Sequence, residues 1–151
     1  MRNGDLVSWD VFIMRFPGEV TDVRDIPSDW EPPSIGTIAE VRRTILQVIP
    51  ELQLEPDGHG RYQGPGFSLN VNLGGDDDED CDGLTLRFYG SGPAAAGLAV
   101  EITEALGARA ISTGGGGFLD RQTADEAWTW WQSYRDHVVS PPPPADPRGE
   151  A

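Results

Sequence analysis

The 151-residue chain carries 25 acidic residues against eleven arginines and no lysine, a formal charge of −14. That charge argues against nucleic acid and anionic membrane as partners, and the missing lysine excludes Schiff-base chemistry and the phosphate-loop lysine. The length suffices to bury a core without disulfides or metal, and the single cysteine, Cys81, rules out an internal disulfide.

In chain order, Trp9 to Phe16 reads as a strand apolar on both faces: Val11 and Ile13 on one, Phe12, Met14 and Phe16 on the other. Such a strand belongs in the middle of a sheet. Pro17 to Pro33 is a long connection in which Trp30 is the candidate anchor. Thr37-Ile-Ala-Glu40 spells a capping box, and Ile38, Val41, Ile45 and Val48 or Ile49 follow at helical spacing until Pro50.

After a polar segment rich in glycine, Phe67, Leu69, Val71 and Leu73 alternate with Ser68, Asn70 and Asn72. Leu84, Leu86 and Phe88 alternate in the same way with Thr85, Arg87 and Tyr89. These are two half-buried strands of a hairpin, predicted to bury Leu69, Val71, Leu86 and Phe88. Between them lies an acidic connection with six carboxylates: Asp76, Asp77, Asp78, Glu79, Asp80 and Asp82.

Gly90 to Pro93 opens a second helix with Ala95, Leu98, Ile102 and Ala105 as its buried stripe and Gly107 as its cap. Ala108 to Thr113 is a short strand, followed by the glycine run Gly114 to Gly117. A third helix spans Ala124 to Val139, with Ala124, Ala127, Trp131, Tyr134 and Val138 on one face and Trp128 and Trp130 flanking it.

The order strand, helix, strand, strand, helix, strand, helix predicts an α+β fold. Its expected form is a ferredoxin-like split βαβ sandwich: a four-stranded antiparallel sheet, two helices on one face, and an additional C-terminal helix. The first and third strands are then central, and the aromatic third helix is expected to cover part of the sheet's other face, shielding Phe12, Met14 and Phe16. One domain is expected over residues 1–139, with a proline-rich disordered tail at 140–151. No run approaches the ~20 apolar residues of a membrane span, and the N-terminal MRNGDLVSWDVF lacks a secretory apolar segment, so a cytoplasmic protein is expected.

The segments SWDVFIMRF, Gly60-x-Tyr62-x-Gly64-x-Gly66-Phe67-Ser68 with Asn72-x-Gly74, LTLRFYGSG, Ser112-Thr113-Gly114 with Phe118-Leu119-Asp120, and WWQSYRD occur in that order. Together, from about Ser8 to Asp136, they resemble a family of small bacterial proteins described only as hypothetical. The chain departs from that pattern where Gly115 to Gly117 replace a single Glu. The family has no assigned activity, so the resemblance implies a compact fold and transfers no catalytic residue.

Asp78-x-Asp80-x-Asp82-Gly83 matches the first half of a calcium-loop spelling, but the twelfth position is Tyr89 where a bidentate Glu is required. A solvated acidic loop is the expected reading, with no metal. Cys81 among carboxylates is a poor nucleophile, and His59 and His137 have no second ligand at zinc spacing. The glycine run lacks the lysine of a phosphate loop.

With no catalytic constellation and no cofactor motif, the expected function is that of an acidic, non-enzymatic protein-binding module, for instance an immunity- or antitoxin-type inhibitor of a basic partner protein. Its expected contact residues are Asp76, Asp77, Asp78, Glu79, Asp80, Asp82 and Trp130, an aromatic suited to an interface anchor. The alternative is a small enzyme or small-ligand-binding protein using the loops around Arg61, Tyr62 and Gly114 to Gly117.

Overall fold

The computed structural model describes residues 8–90, 92–112 and 118–139; the tail at 140–151 and the glycine run Gly114 to Gly117 lie outside these residues, as do the side chains of Tyr134, His137 and Val138. The order is β1 (Trp9–Met14), a 3-10 turn (Val23–Asp25), β2 (Gly36–Thr37), α1 (Ile38–Val48), β3 (Gln53–Leu54), β4 (His59–Gly64), β5 (Phe67–Asn72), β6 (Asp80–Cys81), β7 (Gly83–Gly90), α2 (Ala94–Ala105), β8 (Arg109–Ser112), β9 (Phe118–Leu119) and α3 (Ala124–Val139). Among the described residues the chain is a mixed α/β protein with three helices and a seven-stranded sheet in the order β3-β4-β5-β7-β1-β8-β9, beside the two-stranded β2-β6 ribbon.

The four-stranded ferredoxin-like sandwich does not match this sheet in detail. Three strands extend it: β3 and β4 on one side, β9 on the other. Sequence pattern missed β4 because its core-facing positions are Gly60, Tyr62 and Gly64 instead of branched aliphatics. Those glycines are dictated by packing, since a Cβ on Gly64 would enter the Phe67 ring and one on Gly60 would press on Val71 and Leu52.

Alternation decides which side chains go inside. Trp9, Val11 and Ile13 of β1, Leu69 of β5, and Leu86 and Phe88 of β7 are all fully buried on one face. Their neighbours in register confirm a single inner surface: β5 pairs with β7 through Leu69↔Phe88 and Val71↔Leu86, and β7 with β1 through Phe88↔Trp9 and Leu86↔Val11. The predicted hairpin and its four buried residues are therefore observed.

The helices cover that inner surface. In α1 the capping box is complete: Glu40 N–H donates to Thr37 Oγ1 at 3.2 Å and Thr37 N–H to Glu40 Oε1 at 2.9 Å. Ile38, Val41 and Ile45 are its buried stripe. In α2 the small residues Ala95, Ala96 and Ala99 let the helix lie close to the strands, and Gly107, at φ +62°, supplies the left-handed turn that ends it. Its stripe continues through Ile102 to Leu106, so the predicted Ala105 is exposed instead and Leu98 is only half-buried.

The third helix corrects the sequence reading. Trp128 meets Trp9 edge-on at 5.1 Å, and Trp9 belongs to the inner face, so α3 lies on the same side of the sheet as α1 and α2. Among its described side chains the buried positions are Ala124, Trp128 and Trp131, with Ala127 half-buried, so Trp128 joins the stripe it was predicted to flank.

Phe16 is kept from water in another way. It stacks on Trp30 at 5.5 Å and meets Phe118 edge-on at 5.5 Å. The long connection thus straps the outer face of the sheet at its β8-β9 side. Arg109 fixes the strap by donating to the Pro17 carbonyl while its guanidinium lies 3.6 Å from the Phe118 ring centre. Within the strap, the Arg24 side chain holds the Asp22 carboxyl down to a pKa of about 2.

Candidate functional site

The acidic connection does not protrude as a hairpin tip. It folds back on the start of α1, where Ile38 N–H donates to the Glu79 carbonyl at 2.8 Å and Ala39 N–H to the Asp77 carbonyl at 3.1 Å. These are two of the N–H groups that a helix start leaves without an internal partner. The β2-β6 ribbon, Gly36↔Cys81 and Thr37↔Asp80, adds a second clamp. Arg42 adds a third, reaching Asp77 at 2.8 Å and the Leu73 carbonyl at 3.2 Å.

The backbone of this loop therefore caps the positive end of the α1 dipole, and Arg42 neutralises the Asp77 carboxylate. Asp76, Asp77, Asp78, Glu79, Asp80 and Asp82 are all exposed. Among the described residues, no group of three or more His, Cys, Asp or Glu side chains could hold a metal ion. Cys81 is buried beneath the loop, and burial, then the charge of Asp82, pushes its thiol pKa up.

Trp130 is 47% exposed and is the one large hydrophobic residue so placed among the described residues. It does not join the acidic loop. Gln132, two positions on, donates to the carbonyl of Gly90 at the end of β7, whereas Asp82 immediately precedes Gly83 at its beginning. The eight-residue strand between them spans about 25 Å. The structure thus separates the two parts of the expected contact surface by the length of a strand.

Arg61 and Tyr62 are likewise parted, because consecutive strand residues point to opposite faces. Tyr62 packs half-buried at 6.1 Å from Phe67 on the inner side, and Arg61 lies exposed on the outer side, 3.5 Å from Glu55.

No helix among the described residues covers the outer face of β4, β5 and β7, since all three pack into the inner core. A shallow depression of about 400 Å³ lies there, lined by His59 of β4, Asn70 and Asn72 of β5, and Thr85, Arg87 and Tyr89 of β7. The ladder explains the grouping: Asn70 sits opposite both Arg61 and Arg87, and Asn72 opposite His59. Sequence alternation set Asn70, Asn72, Thr85, Arg87 and Tyr89 opposite the buried residues of their strands, whereas His59 was read as part of a glycine-rich loop because pattern missed β4.

Comparison with known proteins finds no matching family model, no matching curated protein and no matching solved structure.

Proposed function

We propose that the protein is a non-enzymatic binding module that recognises a basic protein partner through the acidic loop, in the manner of an immunity-type inhibitor. The observation that carries this reading is the clamping of the loop. Backbone bonds from Ile38 and Ala39, the β2-β6 ribbon and Arg42 hold the segment before any partner arrives, while the carboxylates stay exposed. A pre-ordered charged surface loses less conformational entropy on binding than a mobile one. Exposed carboxylates of one sign also accelerate encounter with an oppositely charged surface. Trp130, a strand's length away, serves as a separate anchor only for a partner large enough to span both.

The test uses the full chain as bait at low salt in a native extract, followed by rate constants for the captured basic protein at two salt concentrations. The variant replacing Asp76, Asp78, Glu79, Asp80 and Asp82 with Asn or Gln, and leaving Asp77 to hold Arg42, is compared with the parent. The expected result is an association rate reduced at least about tenfold and a flattened salt dependence. Equal rates for parent and variant would remove the loop from the interface and with it this reading.

A further inference from the structure

We infer that the depression on the outer face of β4, β5 and β7 is a binding site for a small polar molecule carrying a carboxylate or phosphate, with Arg87 as the group that meets the anion. The first ground is charge placement. The chain has more than twice as many acids as arginines, so an arginine readily finds a carboxylate. Arg24, Arg42, Arg61 and Arg121 each do so, with Asp22, Asp77, Glu55 and Glu104. Among the described residues Arg15, Arg43, Arg87 and Arg109 form no such pair; Arg15 and Arg109 donate to backbone carbonyls, whereas Arg87, exposed in the middle of the sheet, makes neither an ion pair nor a hydrogen bond to a described residue.

The second ground is what surrounds it. Besides Arg87 and Val71, the depression is lined by His59, Asn70, Asn72, Thr85 and Tyr89, five residues whose side chains all offer hydrogen-bond donors and none of which is acidic. The carboxylates on neighbouring positions are engaged: Glu55 lies 3.5 Å from Arg61, which is opposite Asn70. Asp57 accepts from the His59 backbone N–H at 3.0 Å and lies 3.3 Å from the His59 ring. Asp10, opposite Arg87 in the ladder, accepts the Ser8 hydroxyl.

The third ground is size. A hollow of about 400 Å³ falls within the usual range for small-ligand sites. The chemistry follows from the donors: a planar guanidinium fork takes two oxygens of one oxyanion, and the amides and hydroxyls around it serve the remaining polar atoms. The overall charge of −14 does not forbid this, because at physiological salt an exposed charge is screened beyond about 8 Å and the nearest groups decide the local sign.

The experiment is an amide-resolved NMR titration of the full chain with inorganic phosphate and, separately, with malonate, each against sodium chloride at matched ionic strength. Saturable shifts are expected at residues 59, 70, 72, 85, 87 and 89. Saturation by phosphate alone assigns a phosphate-bearing ligand, by malonate alone a carboxylate-bearing one, and by both an oxyanion site open to either.

Arg87→Gln should weaken binding about tenfold or more, the scale of a lost charge-assisted hydrogen bond. Thr85→Asp, which sets a carboxylate beside an intact Arg87, should produce the same loss. Arg121→Gln, whose partner Glu104 lies on α2, should bind as the parent does. Shifts that match those in chloride, or saturation undiminished in both Arg87→Gln and Thr85→Asp, would overturn the assignment. The acidic-loop proposal stands or falls separately, since no residue is shared.

Discussion

The two faces of the sheet are made by the same strands and differ in almost everything else. The inner face is a continuous apolar surface in which Trp9, Val11, Ile13, Leu69, Leu86 and Phe88 are fully buried under three helices. The outer face is divided. At its β8-β9 side the strap carrying Trp30 closes over Phe16 and Phe118, and at its β4-β7 side polar residues and Arg87 remain accessible. Packing fixes nearly every residue choice on the inner side. On the outer side β4, β5 and β7 are free of that constraint, so a cluster of donors there calls for a chemical explanation.

The sharpest way to break this contrast is to delete side chains of similar size from adjacent positions of one strand. Leu86→Ala removes a fully buried side chain and should cost about 2–5 kcal/mol through lost transfer energy and the cavity left behind. Arg87→Ala, one residue on and exposed, should change stability by less than about 1 kcal/mol. Denaturant melts of both variants decide the matter. Comparable losses from the two would mean that the outer face is covered after all.

Next in size is the strap. Trp30 is half-buried and stacks on Phe16, so Trp30→Ala should cost about 2 kcal/mol, roughly half the burial energy of a large aromatic together with a ring contact. The same variant should raise the hydrogen exchange of the segment from Pro17 to Pro33 without reaching the inner strands. An effect below about 0.5 kcal/mol would show that the strap contributes nothing to covering the sheet.

These differences also explain what the sequence revealed. Period-two alternation in β1, β5 and β7 and the capping box at Thr37 are local signals, and each produced an element where it was expected. The neighbour of α3 is not a local property. Phe12, Met14 and Phe16 suggested a second covered face, and a helix was assigned to it because the alternative cover, a loop held by one tryptophan and one arginine, leaves no periodic trace.

The acidic loop failed in the same manner. Its composition signalled exposure correctly, but the α1 N–H groups that hold it lie some forty residues upstream, beyond the reach of pattern. The separation of Trp130 from the loop also depends on which end of β7 each lies near, and only the three-dimensional path supplies that.

The smallest expected effect tests the inner face at one of the two buried polar atoms that lack a hydrogen-bond partner among the described residues, Trp9 Nε1 being the other. Thr103, also buried there, satisfies its hydroxyl by donating to the Ala99 carbonyl at 2.8 Å. Ser112 Oγ is buried with no hydrogen-bond partner among the described residues, opposite Val11 in the ladder. A hydroxyl in that position carries a desolvation cost with no compensating bond, so replacing it with a methyl group should help. Ser112→Ala is expected to leave stability unchanged or raise it by up to about 1 kcal/mol, whereas Thr103→Ala should lower it by a similar amount. Thermal unfolding of the pair gives the sign of each. A loss of more than about 1 kcal/mol in Ser112→Ala would show that the hydroxyl is paired in solution, and the inner face would then hold a polar contact as well as an apolar core.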